Sequence, residues 1–207
     1  YFDNTVLALY VIDIQNQERI EEAISYLKDV ITEFKKLKIR PPINILFHKY
    51  DPHYVEKLGL FISRQMDELK QKIIQETKYK KLYFYKTSIY NVSSIIDAIS
   101  KVLLELYPKS HLISKTVEQF SEKNDYDALL LIDNNSLIIG SYYENESIKQ
   151  LIKSSMPYFF TLFKKLEYES LVGYNEKDFI TVQNRESYLY YKQIIINEDT
   201  FPYYLLI

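Results

Sequence analysis

A polar tetrapeptide that could recognise a nucleobase follows directly after an apolar segment at residues 43–47. It reads His48-Lys49-Tyr50-Asp51. The ionised carboxylate at its fourth position can accept two hydrogen bonds together, from N1–H and the exocyclic amine of guanine, and adenine does not offer that pair of donors. The methylene stem of Lys49 can lie along the face of a base while its ammonium stays in water. The alternative is that these four residues form only a polar turn between a strand and a helix.

A second candidate loop follows the next apolar segment, residues 82–85, and contains Thr87, Ser88 and Ile89. In position it resembles the loop that GTPases place after the corresponding strand, whose backbone N–H contacts O6 of guanine. Because both loops follow successive strands of a predicted parallel sheet, they belong to the edge at which such sheets bind ligands. Together the two loops favour a guanine-binding site over a simple polar turn. Its predicted residues are His48, Lys49, Asp51, Ser88 and Ile89.

The elements that must position these loops are predicted from hydrophobic periodicity. Short apolar runs at residues 5–12, 43–47 and 82–85 alternate with segments whose apolar residues recur at helical spacing. Three such alternations predict an α/β domain, with a parallel sheet and crossover helices. The first run is almost uninterrupted, which predicts a strand that is buried on both faces.

After Pro108 the order of the predicted elements changes. A helix, a hairpin, a second helix and further strands predict a small α+β domain with helices around one antiparallel sheet. We therefore divide the chain into residues 1–108 and 109–207. The predicted strands of the second part are residues 128–132, 137–143, 178–182, 188–196 and 203–207.

Composition excludes several classes of function. The 207 residues include no cysteine, which excludes disulfides, thiolate metal sites and cysteine nucleophiles, and neither His53 nor His111 has a second His, Asp or Glu at ligand spacing. A net charge of −2 gives no general case for binding nucleic acid. With only 3 glycines, the sequence has neither a GxxxxGK[ST] nor a GxGxxG phosphate loop. No apolar run reaches the roughly 18 to 20 residues that span a bilayer, so we expect no direct membrane insertion.

Several segments together resemble the Rag/Gtr family of Ras-related GTPases, in particular its Rag C/D-type branch. Residues 47–51 match the family's HKxD, which replaces the NKxD guanine-specificity loop of other GTPases, and residues 86–90 match its TSIY loop. The remaining matches are residues 9–13 followed by Gln15, residues 100–108, and residues 128–143, which resemble the first hairpin of a roadblock domain. The resemblance implies the C-terminal half of a Ras-like P-loop GTPase domain, followed by a roadblock/longin-like domain.

The resemblance also implies a function. A Rag/Gtr protein is a guanine-nucleotide-binding switch subunit that binds GTP or GDP and signals amino-acid supply to the TOR kinase complex. It forms an obligate heterodimer with a second Rag/Gtr-type subunit through its C-terminal domain, and it contacts scaffold and TOR-complex proteins. It is cytoplasmic and is recruited to the lysosomal or vacuolar membrane surface through its partners.

The sequence departs from the family in its phosphate chemistry. The family's phosphate loop, switch regions and Mg²⁺ ligands precede the segment that corresponds to Tyr1, and we expect the sequence to be part of a longer chain. GTP hydrolysis is therefore implied only by resemblance, Mg²⁺ is expected only with the missing half, and no catalytic residue is predicted. The alternative is a non-enzymatic scaffold or dimerisation subunit with a degenerate nucleotide site.

Four aromatic residues of the last predicted helix are candidates for the dimer interface. Tyr158, Phe159, Phe160 and Phe163 occupy more than one helix face, so core packing accounts for only some of them. We expect the others to remain exposed unless a partner covers them.

Overall fold

The structure, a computed structural model, describes residues 2–107, 110–168, 179–183, 187–194 and 203–207. The chain divides into two compact units, Tyr1–Ala98 and Ile99–Ile207. The predicted boundary at Pro108 falls outside the described residues and stays a prediction, as do the strand residues predicted at 178, 195 and 196.

The described part of the first unit contains the predicted parallel sheet. Its three strands lie in the order β1-β2-β3, and all pairs are parallel. The strands are β1 (Ala8–Asp13), β2 (Ile43–His48) and β3 (Leu82–Thr87), and the helices are α1 (Ile20–Lys36), α2 (Pro52–Leu58), α3 (Leu60–Thr77) and α4 (Val92–Leu104). The α/β prediction for this region is therefore confirmed.

The core of the first unit lies between the sheet and two of its helices. Helix α1 buries Ile24, Leu27 and Ile31, which share one face at helical spacing, and α3 contributes Ile62 and Met66 to the same cluster. Burial of this apolar face on the middle strand holds the sheet and its strand ends in place.

The prediction that the first strand is buried on both faces is wrong. Side chains alternate across a strand, and Ile12 is buried in the core while Leu9 and Val11 are 48% and 58% exposed. An uninterrupted apolar run shows that a strand can be buried on two faces. It cannot show that other elements of the structure cover each of the two faces.

The described part of the second unit contains an antiparallel five-stranded sheet in the order β5-β4-β8-β7-β6. Its strands are β4 (Ala128–Ile132), β5 (Ile138–Tyr143), β6 (Phe179–Gln183), β7 (Tyr188–Ile194) and β8 (Tyr203–Leu206), and its helices are α5 (Ser110–Lys123) and α6 (Glu146–Tyr168). The predicted α+β architecture is thus confirmed. The end of α4 also belongs to this unit, since the Ile138 N–H donates to Ser100 Oγ at 2.8 Å.

The aromatic residues of α6 divide between the core and the surface. Phe159 stacks on Tyr191 with 6.0 Å between ring centroids, and Phe163 lies 5.4 Å from Tyr191. Both phenylalanines are buried, so they are core residues of their own unit, whereas Tyr158 is 79% exposed. Phe160 is half-buried. A dimer interface at this helix stays a prediction, and Tyr158 is the member of the set that is available for one.

Candidate functional site

The strand register brings the two candidate loops side by side. Asp13, His48 and Thr87 are aligned across the carboxyl ends of the three parallel strands. The residues that follow each strand therefore meet at one edge of the sheet. A backbone bond joins two of the loops directly, because the Tyr50 N–H donates to the Thr87 carbonyl at 3.0 Å.

Asp51 is a buried carboxylate with a donor on each oxygen. The residue is 4% exposed and lies at the N-terminus of α2, directly before Pro52. Ser88 Oγ donates to its Oδ1, and Gln15 Nε2 donates to its Oδ2 at 2.9 Å. Such donors offset the cost of burying an ionised group. Each carboxylate oxygen can accept more than one hydrogen bond, so both retain capacity for a ligand.

Lys49 is held by two side chains from the end of β1. Its ammonium lies 2.7 Å from Asp13 Oδ2, and its carbonyl accepts a hydrogen bond from Gln15 Nε2 at 2.9 Å. The contact with Asp13 raises the pKa of Lys49. Desolvation acts to raise the pKa of Asp13, but the bonds from the Lys49 ammonium and from the Gln15 and Asn16 backbone lower it overall. Both side chains are therefore charged near neutral pH.

His48 is oriented by the residue that ends β3. Its Nδ1 lies 3.1 Å from Thr87 Oγ1, and Thr87 is buried. Among the described residues, this histidine is the one partner of the threonine hydroxyl. If the hydroxyl donates to Nδ1, its own hydrogen is satisfied and the imidazole proton lies on Nε2. His48 then presents an N–H donor.

The loop that contains Ser88 and Ile89 is ordered by its own hydrogen bonds. The Ser88 N–H donates to Ser94 Oγ at 3.0 Å, and the Tyr90 N–H donates to Ser88 Oγ at 3.1 Å. Ile89 is 61% exposed, and its N–H has no acceptor among the residues that the structure describes. It is thus a backbone donor available to a ligand, next to the serine that orients Asp51.

The structure brings all five predicted site residues to one edge of the first unit, and it adds residues that the sequence analysis did not select. Asp13 ends β1 as His48 ends β2, and Gln15 follows β1 as Ser88 follows β3. Their position at a strand end is the signal that could have indicated Asp13 and Gln15. Tyr50 also belongs to the edge, because the Lys86 ammonium lies 4.7 Å from its ring centroid.

The described residues contain neither a metal-binding cluster of side chains nor a helix that could cross a membrane. Over the described ranges, no group of three or more His, Cys, Asp and Glu side chains could hold a metal ion. Within those same ranges, every helix is too short or too polar to cross a bilayer.

A comparison with protein families identifies the chain. The model of the Gtr1/RagA G protein conserved region matches residues 1–171, which includes the whole first unit and continues to the end of α6. The comparison with curated proteins found no match. Since the family model covers most of the sequence, including the strand ends, Asp51 and the Ser88 loop, this chain belongs to the Gtr1/RagA family of G proteins.

Proposed function

We propose that this chain contains the guanine-recognition site of a Rag-type switch subunit. The observation that carries the proposal is the buried Asp51 carboxylate, which is oriented by a donor on each oxygen at the sheet edge. An oriented carboxylate that retains acceptor capacity suits the adjacent N1–H and exocyclic amine of guanine. Adenine would place the N1 lone pair against the negative charge.

The neighbouring groups supply complementary contacts. The Ile89 N–H, without an acceptor in the described part of the chain, is a donor for O6. The Nε2–H of His48 is a donor for N7, and the Lys49 stem can cover the base face. The Ile89 N–H and the carboxylate fit the O6, N1–H and exocyclic amine of guanine and mismatch adenine, whereas a donor to N7 suits both purines. GTP and GDP are accordingly the proposed nucleotides.

The wider role that we propose follows the family. The chain would be the C/D-type member of a heterodimer of two Rag/Gtr-type subunits. Partner proteins would recruit it to the lysosomal or vacuolar surface, where it would signal to the TOR kinase complex. The described sheet of the second unit, with a helix between its second and third strands, supports a roadblock/longin-like dimerisation domain. The exposed Tyr158 supports an interface there. The sequence has no glycine-rich phosphate loop, so we assign no catalytic residue and no Mg²⁺ ligand to it.

The five-stranded antiparallel sheet of the second unit also supports a second candidate function. A scaffold or dimerisation subunit with a degenerate nucleotide site would need the fold of both units and no base selectivity. The two candidates differ in one measurable quantity, the ratio of affinities for guanine and adenine nucleotides.

The test is a titration of the isotope-labelled chain with GDP and with ADP, followed by the chemical shifts of the residues at the sheet edge. The residues assigned above contact only the base of the nucleotide, so we expect weak binding, with a Kd for GDP of about 1 mM, which corresponds to a binding free energy of roughly −4 kcal/mol. Hydrogen bonds to charged groups contribute about 1.5–3 kcal/mol each. ADP should therefore bind about 10–100-fold more weakly than GDP.

An Asp51→Asn variant tests whether this carboxylate is responsible. An asparagine offers one acceptor and one donor, which complement N1–H and the C2 carbonyl of xanthine. We expect the variant to bind GDP at least about tenfold more weakly and to bind xanthosine diphosphate better than the unsubstituted chain does. Asp29→Asn is the matched control, because it makes the same change at an exposed position of α1. Equal affinities for GDP and ADP in the unsubstituted chain would favour the scaffold function instead.

A further inference from the structure

We propose that Gln15 is a positioning residue for base recognition, because its side-chain amide fixes both the Asp51 carboxylate and the Lys49 backbone at the sheet edge. The proposal rests on the guanine-recognition function proposed above. It assigns a specificity role to a residue that lies outside both candidate loops and makes no proposed contact with the base.

The Gln15 amide connects the end of β1 to two positions of the loop that follows β2. Its Nε2 lies 2.9 Å from the Lys49 carbonyl oxygen and 2.9 Å from Asp51 Oδ2. A primary amide nitrogen has two hydrogens. Both are therefore donated to the loop that follows β2, across separations of 34 and 36 residues in the sequence.

The conformation of this loop depends on such outside support. Lys49 has a φ of +63°, in the left-handed region that residues with a side chain seldom adopt. Such a conformation persists where the surrounding structure holds it. Asp13, at the end of β1, binds the ammonium of Lys49, and Gln15, two residues later, binds its carbonyl, so both the side chain and the backbone of Lys49 are restrained.

The orientation of Asp51 depends on the same amide. Rotation about the last side-chain torsion of an aspartate is only weakly restrained by its own covalent structure. Ser88 fixes one oxygen and Gln15 fixes the other, so together they define the carboxylate plane. A two-point contact with guanine requires that plane to be set in advance. Loss of the Gln15 donor would leave Oδ2 buried without its partner and the carboxylate free to turn.

The decisive variant is Gln15→Glu, which replaces the donor by a carboxylate beside Asp51. At pH 8 two negative groups face each other, and the GDP-to-ADP affinity ratio should fall at least about tenfold. When two carboxylates lie side by side, the pKa of the pair's last proton is raised, so the pair takes up a proton at a higher pH than an isolated carboxylate does. The ratio should therefore recover as the pH falls toward 5.5, because the introduced carboxyl, once protonated, can donate to Asp51 again. The unsubstituted chain, measured at the same pH values, is the reference for pH effects of His48, Asp13 and Lys49 at the same edge, and the use of a ratio cancels the titration of the phosphates.

Two further variants separate positioning from general support of the fold. Gln15→Met keeps a similar length but has no donor, so the ratio should fall by a similar factor without recovery at low pH. Gln17→Glu is the matched control, because it makes the same change two residues along, where the amide bonds only the Ile14 carbonyl among the described residues. It should leave the ratio unchanged at every pH. Thermal unfolding of each variant identifies any that fail to fold, and Gln15→Met then decides the outcome.

The outcomes distinguish this proposal from the function on which it rests. An unsubstituted chain without a preference for GDP overturns the proposed function. A clear GDP preference that Gln15→Glu retains at pH 8 overturns the positioning role alone. A loss that is the same at all pH values, or that Gln17→Glu shares, also overturns it. A ligand-free check is amide hydrogen exchange, which should accelerate at residues 49–51 in Gln15→Met and not in Gln17→Met.

Discussion

Replacing Asn44 by leucine is expected to stabilise the first unit. Asn44 lies in the middle strand, beside Leu9 of β1 and Tyr83 of β3. It is 0% exposed, and neither Nδ2 nor Oδ1 has a hydrogen-bond partner among the described residues. Folding therefore removes this amide from water without replacing the bonds that it loses.

The size of the effect follows from that burial. A buried polar group without a partner costs about 1–3 kcal/mol, and Asn44 has two such atoms in one amide. Asparagine and leucine branch at the same carbon, so the leucine methyl groups occupy nearly the same space. We expect the free energy of unfolding to rise by about 2 kcal/mol. For a unit of this size the melting temperature should rise by roughly 10 °C.

The measurement is urea unfolding followed by the amide signals of β2, which report on the first unit. The midpoint should move to higher urea while the slope m stays constant. Asn16→Leu is the control, because Asn16 is exposed and its side chain makes no capping bond. That change should stay within about 0.5 kcal/mol. A midpoint for Asn44→Leu that is unchanged or lower would mean that the amide is hydrogen-bonded in the folded protein, and the reasoning would fail.

Two other predictions concern packing and pH. In Gly140→Ala the new Cβ would lie 2.8 Å from Val117 Cγ2, so we expect the free energy of unfolding to fall by about 1–3 kcal/mol, measured by thermal unfolding. Part of that loss should be recovered when Val117 is also replaced by alanine. An unchanged melting temperature would contradict this packing. Burial raises the pKa of Tyr10 to about 12, and its hydroxyl donates to the Ala23 carbonyl. Because the folded pKa exceeds the ordinary value of 10.0, this stabilisation is complete below pH 10 and is lost between pH 10 and 12. Tyr10→Phe should remove that part of the pH dependence of unfolding, and identical pH profiles for the two proteins would show that Tyr10 does not cause it.

The meeting of the two candidate loops could be predicted from the sequence because it depends on strand polarity alone. Once the apolar runs at 43–47 and 82–85 are parallel neighbours, the residues after them must lie at one edge. The role of Gln15 could not be predicted in this way. It depends on how the chain turns after Asp13, where Gln15 N–H donates to Asp13 Oδ1 at 3.0 Å.

Features that depend on distant parts of the chain were also beyond the sequence. The last strand, β8, pairs with β4, so that Leu205 is aligned with Leu131 across the centre of the second sheet. Periodicity predicts such strands but not their order, because every antiparallel order satisfies the same alternation. For the same reason the pattern could not show that Phe159 and Phe163 of α6 are buried against Tyr191.

Asp51 and Asn44 show why base recognition lies at the strand ends of this unit. Both side chains are buried, but Asp51 follows its strand, where side chains from two other loops supply donors. Asn44 lies within its strand, between Leu9 and Tyr83 of the two neighbouring strands, and its amide has no hydrogen-bond partner among the described residues. The loops at the strand ends thus supply Asp51 with donors, whereas the strands beside Asn44 supply its amide with no partner among the described residues. Asn44→Leu should therefore raise stability without changing the GDP-to-ADP ratio, whereas Gln15→Met should lower that ratio and should also lower stability by about 1–3 kcal/mol, because it leaves Asp51 Oδ2 buried without its donor.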